Sequence, residues 1–286
     1  MKNCFLIVNY NDYKSTKHLI DNIIDYKCLE EIVIVDNGSK VEEKELLSTI
    51  KNNKITIIYN DENLGYSSGI NIGAKYLIDK YEKCNLIISN SDIVILNEGD
   101  LEAMIELLNY DTIGLVGPQI IERGEISRGW KEPGVKNDVM LNVPIFHAWV
   151  KEKVCQYHDD YYTTPMSVVE SLSTSFFLIS SETMQKINYM DENVFLYYED
   201  NILGQKVRES GLLVVVDNFV KVKHNYSISV DKNTNLKKNK MLLESQLYYH
   251  TNYHHANKFK RSLLIISAHL GNALRGKKNK NSKKEK

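Results

Sequence analysis

Short apolar runs alternate with mixed stretches through the first 120 residues. Phe5-Leu6-Ile7-Val8, Ile32-Val33-Ile34-Val35 and Leu86-Ile87-Ile88 are too short for helices and read as buried strands. The pattern predicts strands over 4–8, 31–35, 54–59, 85–89 and 113–117. Helices are expected near 15–26, with Ser15 as cap, near 41–50, 66–82 and 99–109. Strands alternating with helices imply βαβ units and a mainly parallel, doubly wound α/β sheet. From 120 to 166 the period weakens, which reads as a long insertion with functional loops. Regularity returns with one strand over Val168–Ser180, a short helix from Ser181 and a helix over 201–210 ended by Gly211. Strands follow at 212–216 and 219–223. Two helices close the chain, near 236–258 and 261–274, followed by Lys277–Lys286 with six lysines in ten residues.

Polar residues sit where these strands end. The first run leads into Asn9-Tyr10-Asn11-Asp12, the second into Asp36-Asn37-Gly38-Ser39, and the fourth into Asn90-Ser91-Asp92. Open α/β sheets bind ligands in the crevice outside the strand carboxyl ends, so three strands deliver polar groups to one candidate pocket. Asp36 reads either as an Asx turn or as an acceptor for a nucleoside. The first strand–helix turn has no glycine and no G-x-G-x-x-G, which argues against NAD. Gly65, Gly69 and Gly73, four apart, imply close approach either to a ligand or to a neighbouring strand. Asp92 reads as a strand-end turn residue or as a ligand for Mg²⁺ or Mn²⁺ on a diphosphate. Glu199-Asp200 follows the apolar run Val194–Tyr198. It reads as a helix N-terminus or as a pair in which one carboxyl has the raised pKa of a general base.

Composition narrows the picture only in part. The 286 residues are 43% hydrophobic and 26% charged, a globular profile. The net charge of −1 gives the whole chain no pull toward nucleic acid. Cys4, Cys28, Cys84 and Cys155 are far apart, which fits a reducing, cytoplasmic setting. No signal peptide is expected, and no apolar run reaches the length of a membrane span.

Together the segments VNYND (8–12), IVDNGS (34–39), NLGYSSGINIGA (63–74), ISNSD (88–92), GPQI (117–120), FLYYED (195–200) and KHNYS (223–227) resemble family 2 glycosyltransferases of the bacterial, rhamnosyltransferase-like polysaccharide type. The resemblance covers about residues 3 to 230. It implies a GT-A-type fold with a mixed sheet, and inverting transfer of a sugar from a nucleotide diphosphate donor, UDP- or dTDP-linked, to a glycan or lipid-linked acceptor. By the resemblance, residues 1–230 form the catalytic domain, with a donor half (1–119) and an acceptor half (120–230). Residues 231–286 add the C-terminal helices and tail. Asn9, Tyr10, Asp36, Asn37, Asn63, Gly65, Asn71 and Ser91 would line the nucleotide-sugar site. Asp92 would be the metal-binding last acid of a DXD motif, with His224 beside the metal, and Asp200, next to Glu199, would be the base. The motif here is Asn-Ser-Asp, so its first acid is absent. The segment Ser171–Ser180 replaces the Gly-Ala pair common before the base.

Two other readings compete. A nucleotidyltransferase would need a Gly-rich, Lys- or Arg-bearing loop after the first strand, and residues 9–14 lack it. A catalytically decayed sugar-nucleotide-binding or scaffold protein of the same fold finds support in Asn90. For the C-terminus, Leu263, Leu264, Ile266, Leu270 and Leu274 recur at near-helical spacing. They read as a helix docked on the catalytic domain, as a peripheral attachment to an anionic membrane leaflet, or as a homodimer contact.

Overall fold

The computed structural model describes residues 1–95, 97–225 and 235–282, with the side chains of 235, 236 and 276–282 outside the description. Tyr226 and Ser227 and the lysine side chains of the tail therefore lie outside the described residues. Four strands, β1 (Lys2–Asn9), β2 (Glu31–Asn37), β3 (Ile55–Asn60) and β4 (Cys84–Asn90), are linked by helices α1 (Tyr13–Ile23), α2 (Val41–Ser48) and α3 (Tyr66–Tyr81). These strands pair in parallel, in the order β3-β2-β1-β4. Next come β5 (Ile93–Val94), α4 (Glu98–Leu107), β6 (Ile113–Glu122) and β7 (Glu125–Ser127). Residues 120–166 are not a structureless insertion: besides β7 they form α5 (Val135–Leu141), α6 (Pro144–Val150) and two single turns at Lys151–Cys155 and Asp159–Tyr162.

The remaining elements are β8 (Met166–Val169), β9 (Phe176–Ser180), α7 (Ser181–Lys186), α8 (Glu199–Glu209), β10 (Leu213–His224), α9 (Asn235–Asn252) and α10 (Lys258–Ser282). The sheet continues from β4 through β9, β6, β10 and β5. β9 runs antiparallel to both β4 and β6, so the sheet is mixed.

Three expectations change. The single strand over 168–180 is two strands that serve different partners, β8 on β10 and β9 between β4 and β6. The polar run Ser171-Leu172-Ser173-Thr174-Ser175 between them leaves the ladder. Strands 212–216 and 219–223 are one strand, β10, with a register shift between Asp217 and Lys221. The cap of α1 is Asp12, whose carboxylate accepts from Ser15 N, because a carboxylate one residue before the helix reaches a free first-turn N–H.

The core follows from strand geometry. Cys4 and Leu6 face one layer with Val33, Val35 and α3, while Phe5 and Ile7 face the other with Ile32, Ile34, Leu19 and Met104. Successive side chains point to opposite faces, and both faces are covered, so the centres of these strands, Cys4–Val8 and Ile32–Val35, are continuously apolar. Gly69 and Gly73 lie against Val8 and Leu6, and a Cβ on Gly73 would come within 2.2 Å of Leu6 Cδ1. Their spacing thus serves helix–strand packing.

The C-terminal helices pack on this body. In α9, Tyr249 and His250 are fully buried. In α10, Gly271 packs so closely on the Asn142 carbonyl after α5 that a Cβ there would clash. Asn142 Nδ2 also donates to Gln246 Oε1 and to Ser267 Oγ, each at 3.0 Å.

Candidate active site

The register of β1 on β2 sets Asn9 beside Asp36, and that of β1 on β4 sets Val8 beside Asn90. Three strand ends thus meet at one level. Asn9 and Asp36 are fully buried. Asn9 Nδ2 donates to Asp36 Oδ1 at 2.8 Å and Thr16 Oγ1 donates to Asn9 Oδ1 at 2.8 Å. Asp36 Oδ2 accepts from Ser39 N at 3.2 Å. Both residues therefore build the floor of the crevice, and Tyr10, about half exposed, is left at its rim.

Asn37 staples the next loop. Its amide donates to the Gly65 carbonyl at 2.9 Å and to Asn63 Oδ1 at 3.2 Å, while Asn63 Oδ1 also accepts from Gly65 N. Gly65 has φ +90° and lies against the backbone of Phe195, and Tyr66 N donates to the Phe195 carbonyl at 3.3 Å. The loop expected to touch donor thus also touches the segment before Glu199. Asn71 does not face this crevice network. Its amide donates to the Met190 carbonyl and to Glu192 Oε1, and its oxygen accepts from Met190 N, which latches α3 to the 190–192 loop.

At the end of β4, Ser91 Oγ donates to Asp12 Oδ2 at 3.1 Å. β5 pairs with the end of β10, placing Ile93 opposite His224. That pairing brings His224 Nε2 to 3.0 Å from Asp92 Oδ1, with Glu122 3.8 Å from the other ring nitrogen. Burial alone would lower the His224 pKa, but the bond and charge of Asp92, with Glu122, raise it overall. A carboxylate and an imidazole side by side are both metal-ligating groups, so Asp92 and His224 fit a divalent ion.

Glu199 and Asp200 open α8. Burial and the neighbouring Asp200 charge push Glu199 up to about 8, and Glu199 Oε2 is buried with no hydrogen-bond partner. Asp200 is also raised by burial, against the pull of Thr174. Thr174 N and Oγ1 both donate to Asp200 Oδ1, at 2.6 and 2.7 Å. The two carboxyls share the burden of one site, and together they retain a proton that isolated acids would lose.

Thr174 and Tyr66 were not legible beforehand, yet they join the site. Tyr66 Oη donates to the Thr174 carbonyl at 2.7 Å. Burial first, and then the negative charges of Glu199, Asp200 and Asp92, raise the Tyr66 phenol well above its ordinary value. One phenol therefore senses all three carboxylates. Asn90 N donates to the Ser175 carbonyl at 2.8 Å, so segment 173–175 ties the end of β4, two residues before Asp92, to the helix bearing Asp200. The polar run 171–175 after an apolar strand was the only sequence signal for this bridge.

The backbone before Glu199 is strained. Tyr197 and Tyr198 have φ of +74° and +67°, a region costly for bulky residues. α9 and α5 hold it there. Tyr198 Oη donates to Asp138 Oδ2 at 2.6 Å and accepts from Gln246 Nε2 at 2.8 Å. His250 Nε2 lies 2.6 Å from the same Asp138 oxygen, and Ser245 Oγ donates to the Leu196 carbonyl. From Glu199 and Asp200 a cavity of about 800 Å³ extends past Trp130, Tyr157 and Tyr162 to His147 and Lys151. The Trp130 indole N–H donates to Asn201 Oδ1 at 2.9 Å.

A mixed sheet with polar residues at its strand carboxyl ends and an acid-lined cavity beside them is the GT-A architecture of nucleotide-sugar-dependent glycosyltransferases. Among solved structures it is similar to GalNAc-T7 with UDP, GalNAc and Mn²⁺ (TM-score 0.63, 12% identity, 93% of this chain and 54% of that one). It is also similar to the mannosyltransferase PcManGT of Pyrobaculum calidifontis in complex with GDP-Man and Mn²⁺ (TM-score 0.54, 13% identity, 94% and 69%). The chain thus spans about half the length of the first of these enzymes. Residues 4–159 match the model of the glycosyl transferase family 2, and the chain belongs to that family. Two curated relatives are the low-salt glycan biosynthesis hexosyltransferase Agl10 of Haloferax volcanii (24% identity over 223 residues, 78% of this chain and 67% of that one) and the dTDP-rhamnosyl transferase RfbF of Shigella flexneri (24% over 220 residues, 77% and 67%).

Proposed function

We propose that this glycosyltransferase works by inversion, moving a sugar from a nucleotide diphosphate to a hydroxyl of a glycan or lipid-linked acceptor in surface polysaccharide synthesis. The observation that carries the reading is the 173–175 segment, which holds Asp200 through Thr174 and binds Asn90, two residues before Asp92, through Ser175, with the aromatic cavity opening from Asp200. The nucleoside lies over the crevice floored by Asn9 and Asp36, with Tyr10 at its edge. Asp92 and His224 would hold a divalent ion, Mg²⁺ or Mn²⁺, which would supply positive charge to the diphosphate. The acceptor occupies the cavity, where the aromatic rings stack on sugar faces and the acids accept from hydroxyls.

The acceptor oxygen attacks the anomeric carbon as the carbon–oxygen bond to the diphosphate breaks. The diphosphate leaves with the bonding pair, and the acceptor proton passes to Asp200. Thr174 fixes one oxygen of Asp200, and burial raises its basicity. The decayed reading rests on Asn90 in place of an acid, but the Asp92–His224 pair and the perturbed carboxyls speak for a working site. A screen of UDP- and dTDP-sugars with Mn²⁺, followed by nucleotide release, tests the proposal. Turnover of at least one donor, lost in Asp200→Asn, supports it. No turnover with any donor, with measurable donor binding, would favour the binding protein.

A further inference from the structure

We infer that α6 and α10 form a surface that docks on an anionic lipid bilayer, beside the mouth of the acceptor cavity. In α10, Leu264, Ser267, Ala268 and Gly271 are buried against the body. Phe259, Leu263, Ile266, Leu270 and Leu274 are exposed, from 38% to 70%. Their spacing of four, three, four and four residues puts them on one stripe of the helix. α6 touches α10 and exposes Ile145, Phe146 and Trp149, at 78%, 46% and 55%. Two neighbouring helices therefore present large apolar side chains, an aromatic pair among them, to the surroundings. Isolated exposed apolar residues are ordinary, but a cluster of this kind marks an interaction surface.

Charge selects the occupant. Residues 258–286 carry ten lysines and arginines against one glutamate, a formal +9, although the whole chain has a net charge of −1. Lys258, Lys260 and Arg261 begin α10, and Lys151 and Lys153 follow α6. A second copy meeting this face about a twofold axis would set Lys258, Lys260 and Arg261 against the same cations. An anionic leaflet offers the opposite sign, and an amphipathic helix with a basic end and Phe and Trp on its apolar side is built for that interface. Among the described residues no helix is long and apolar enough to cross a membrane, so this surface would lie on the bilayer.

The cavity adds a consequence. Its wall includes Leu141 of α5, His147 of α6 and Lys151 just beyond. α6 thus stands between the cavity and the exposed apolar cluster. An acceptor glycan carried on a lipid anchored in the same leaflet would enter the cavity without leaving the surface. This last link rests on the proposed acceptor site; the docking itself does not.

Docking is tested with the full chain by cosedimentation with vesicles of phosphatidylcholine alone or mixed with phosphatidylglycerol. The expected result is binding to the mixed vesicles, weakened by salt, with a blue shift of tryptophan emission that Trp149→Phe abolishes. Ile266→Ser with Leu270→Ser, both exposed and so harmless to folding, should lower the partition coefficient about tenfold or more. Failure to bind mixed vesicles, or equal binding by the double variant, would overturn the inference. So would a dimer of the full chain in sedimentation equilibrium that the double variant dissociates. Donor hydrolysis, measured without vesicles, reports separately on the glycosyl-transfer reading.

Discussion

Glu199→Gln should stabilise the protein, and by an amount that grows with pH. The Glu199 carboxyl ordinarily titrates at 4.5, but burial and Asp200 hold it protonated up to about 8. Between those values the folded state keeps a proton that the unfolded chain releases. Stability therefore falls as pH rises through this window, and the loss is complete above about 8. Each unit is worth about 1.4 kcal/mol, so the penalty is about 1 kcal/mol at pH 5 and about 3 kcal/mol at pH 7. Glutamine keeps the shape and cannot titrate, so it escapes the penalty. Thermal unfolding of both proteins from pH 5 to 8 measures the gap, because all other titrating groups cancel in the difference. A gap of about 2 kcal/mol opening between pH 5 and 7 corresponds to several degrees in Tm at this chain length. A gap that stays flat across the range would refute the argument. So would a Gln variant destabilised equally at every pH, which would mean that Glu199 is ionised and held by partners.

Asp200→Asn keeps an oxygen for Thr174 but cannot take a proton. Transfer should fall by roughly 10²–10⁴-fold with donor affinity little changed, and a near wild-type rate would show that another group is the base. Asp92→Ala should abolish transfer and weaken donor binding, since it removes one of two paired metal donors, and full turnover in excess EDTA would contradict the metal role. Gly38 has φ +78° and an added Cβ would lie 2.2 Å from the Glu62 carbonyl carbon. Gly38→Ala should therefore cost about 2 kcal/mol or more, and an unchanged urea midpoint would show that the 62–65 loop yields freely.

The short, continuous apolar runs of the buried strands, and the polar residues that end them, made the parallel half of the sheet readable from sequence. Phe5 to Val8 could only be a strand covered on both faces, and Asn9, Asp36 and Asp92 could only fall at its carboxyl edge. The ordered motifs also carried the family and the acid pair Glu199-Asp200. What sequence could not assign is everything that depends on contacts distant along the chain. Asn71 lies inside a motif with Gly69 and Gly73, yet its amide is spent on Met190 and Glu192 across the fold. Asp36 reads either as a turn residue or as a ligand contact; its carboxylate accepts from Ser39 N in the turn and, because strand register sets it there, from Asn9. Thr174 sits in a polar run that resembles the end of one long strand. Only the separate pairing of β8 and β9 frees that run to hold Asp200. The resemblance placed His224 beside the metal, but only the pairing of β5 with β10 set its ring against Asp92. The strained Tyr197–Tyr198 turn is sustained by α9 and α5, whose partners lie about 50 and 60 residues away (Ser245 on Leu196, Asp138 on Tyr198). Local periodicity reports which face of an element is buried; the partner that each buried polar atom finds is settled only when the elements pack together.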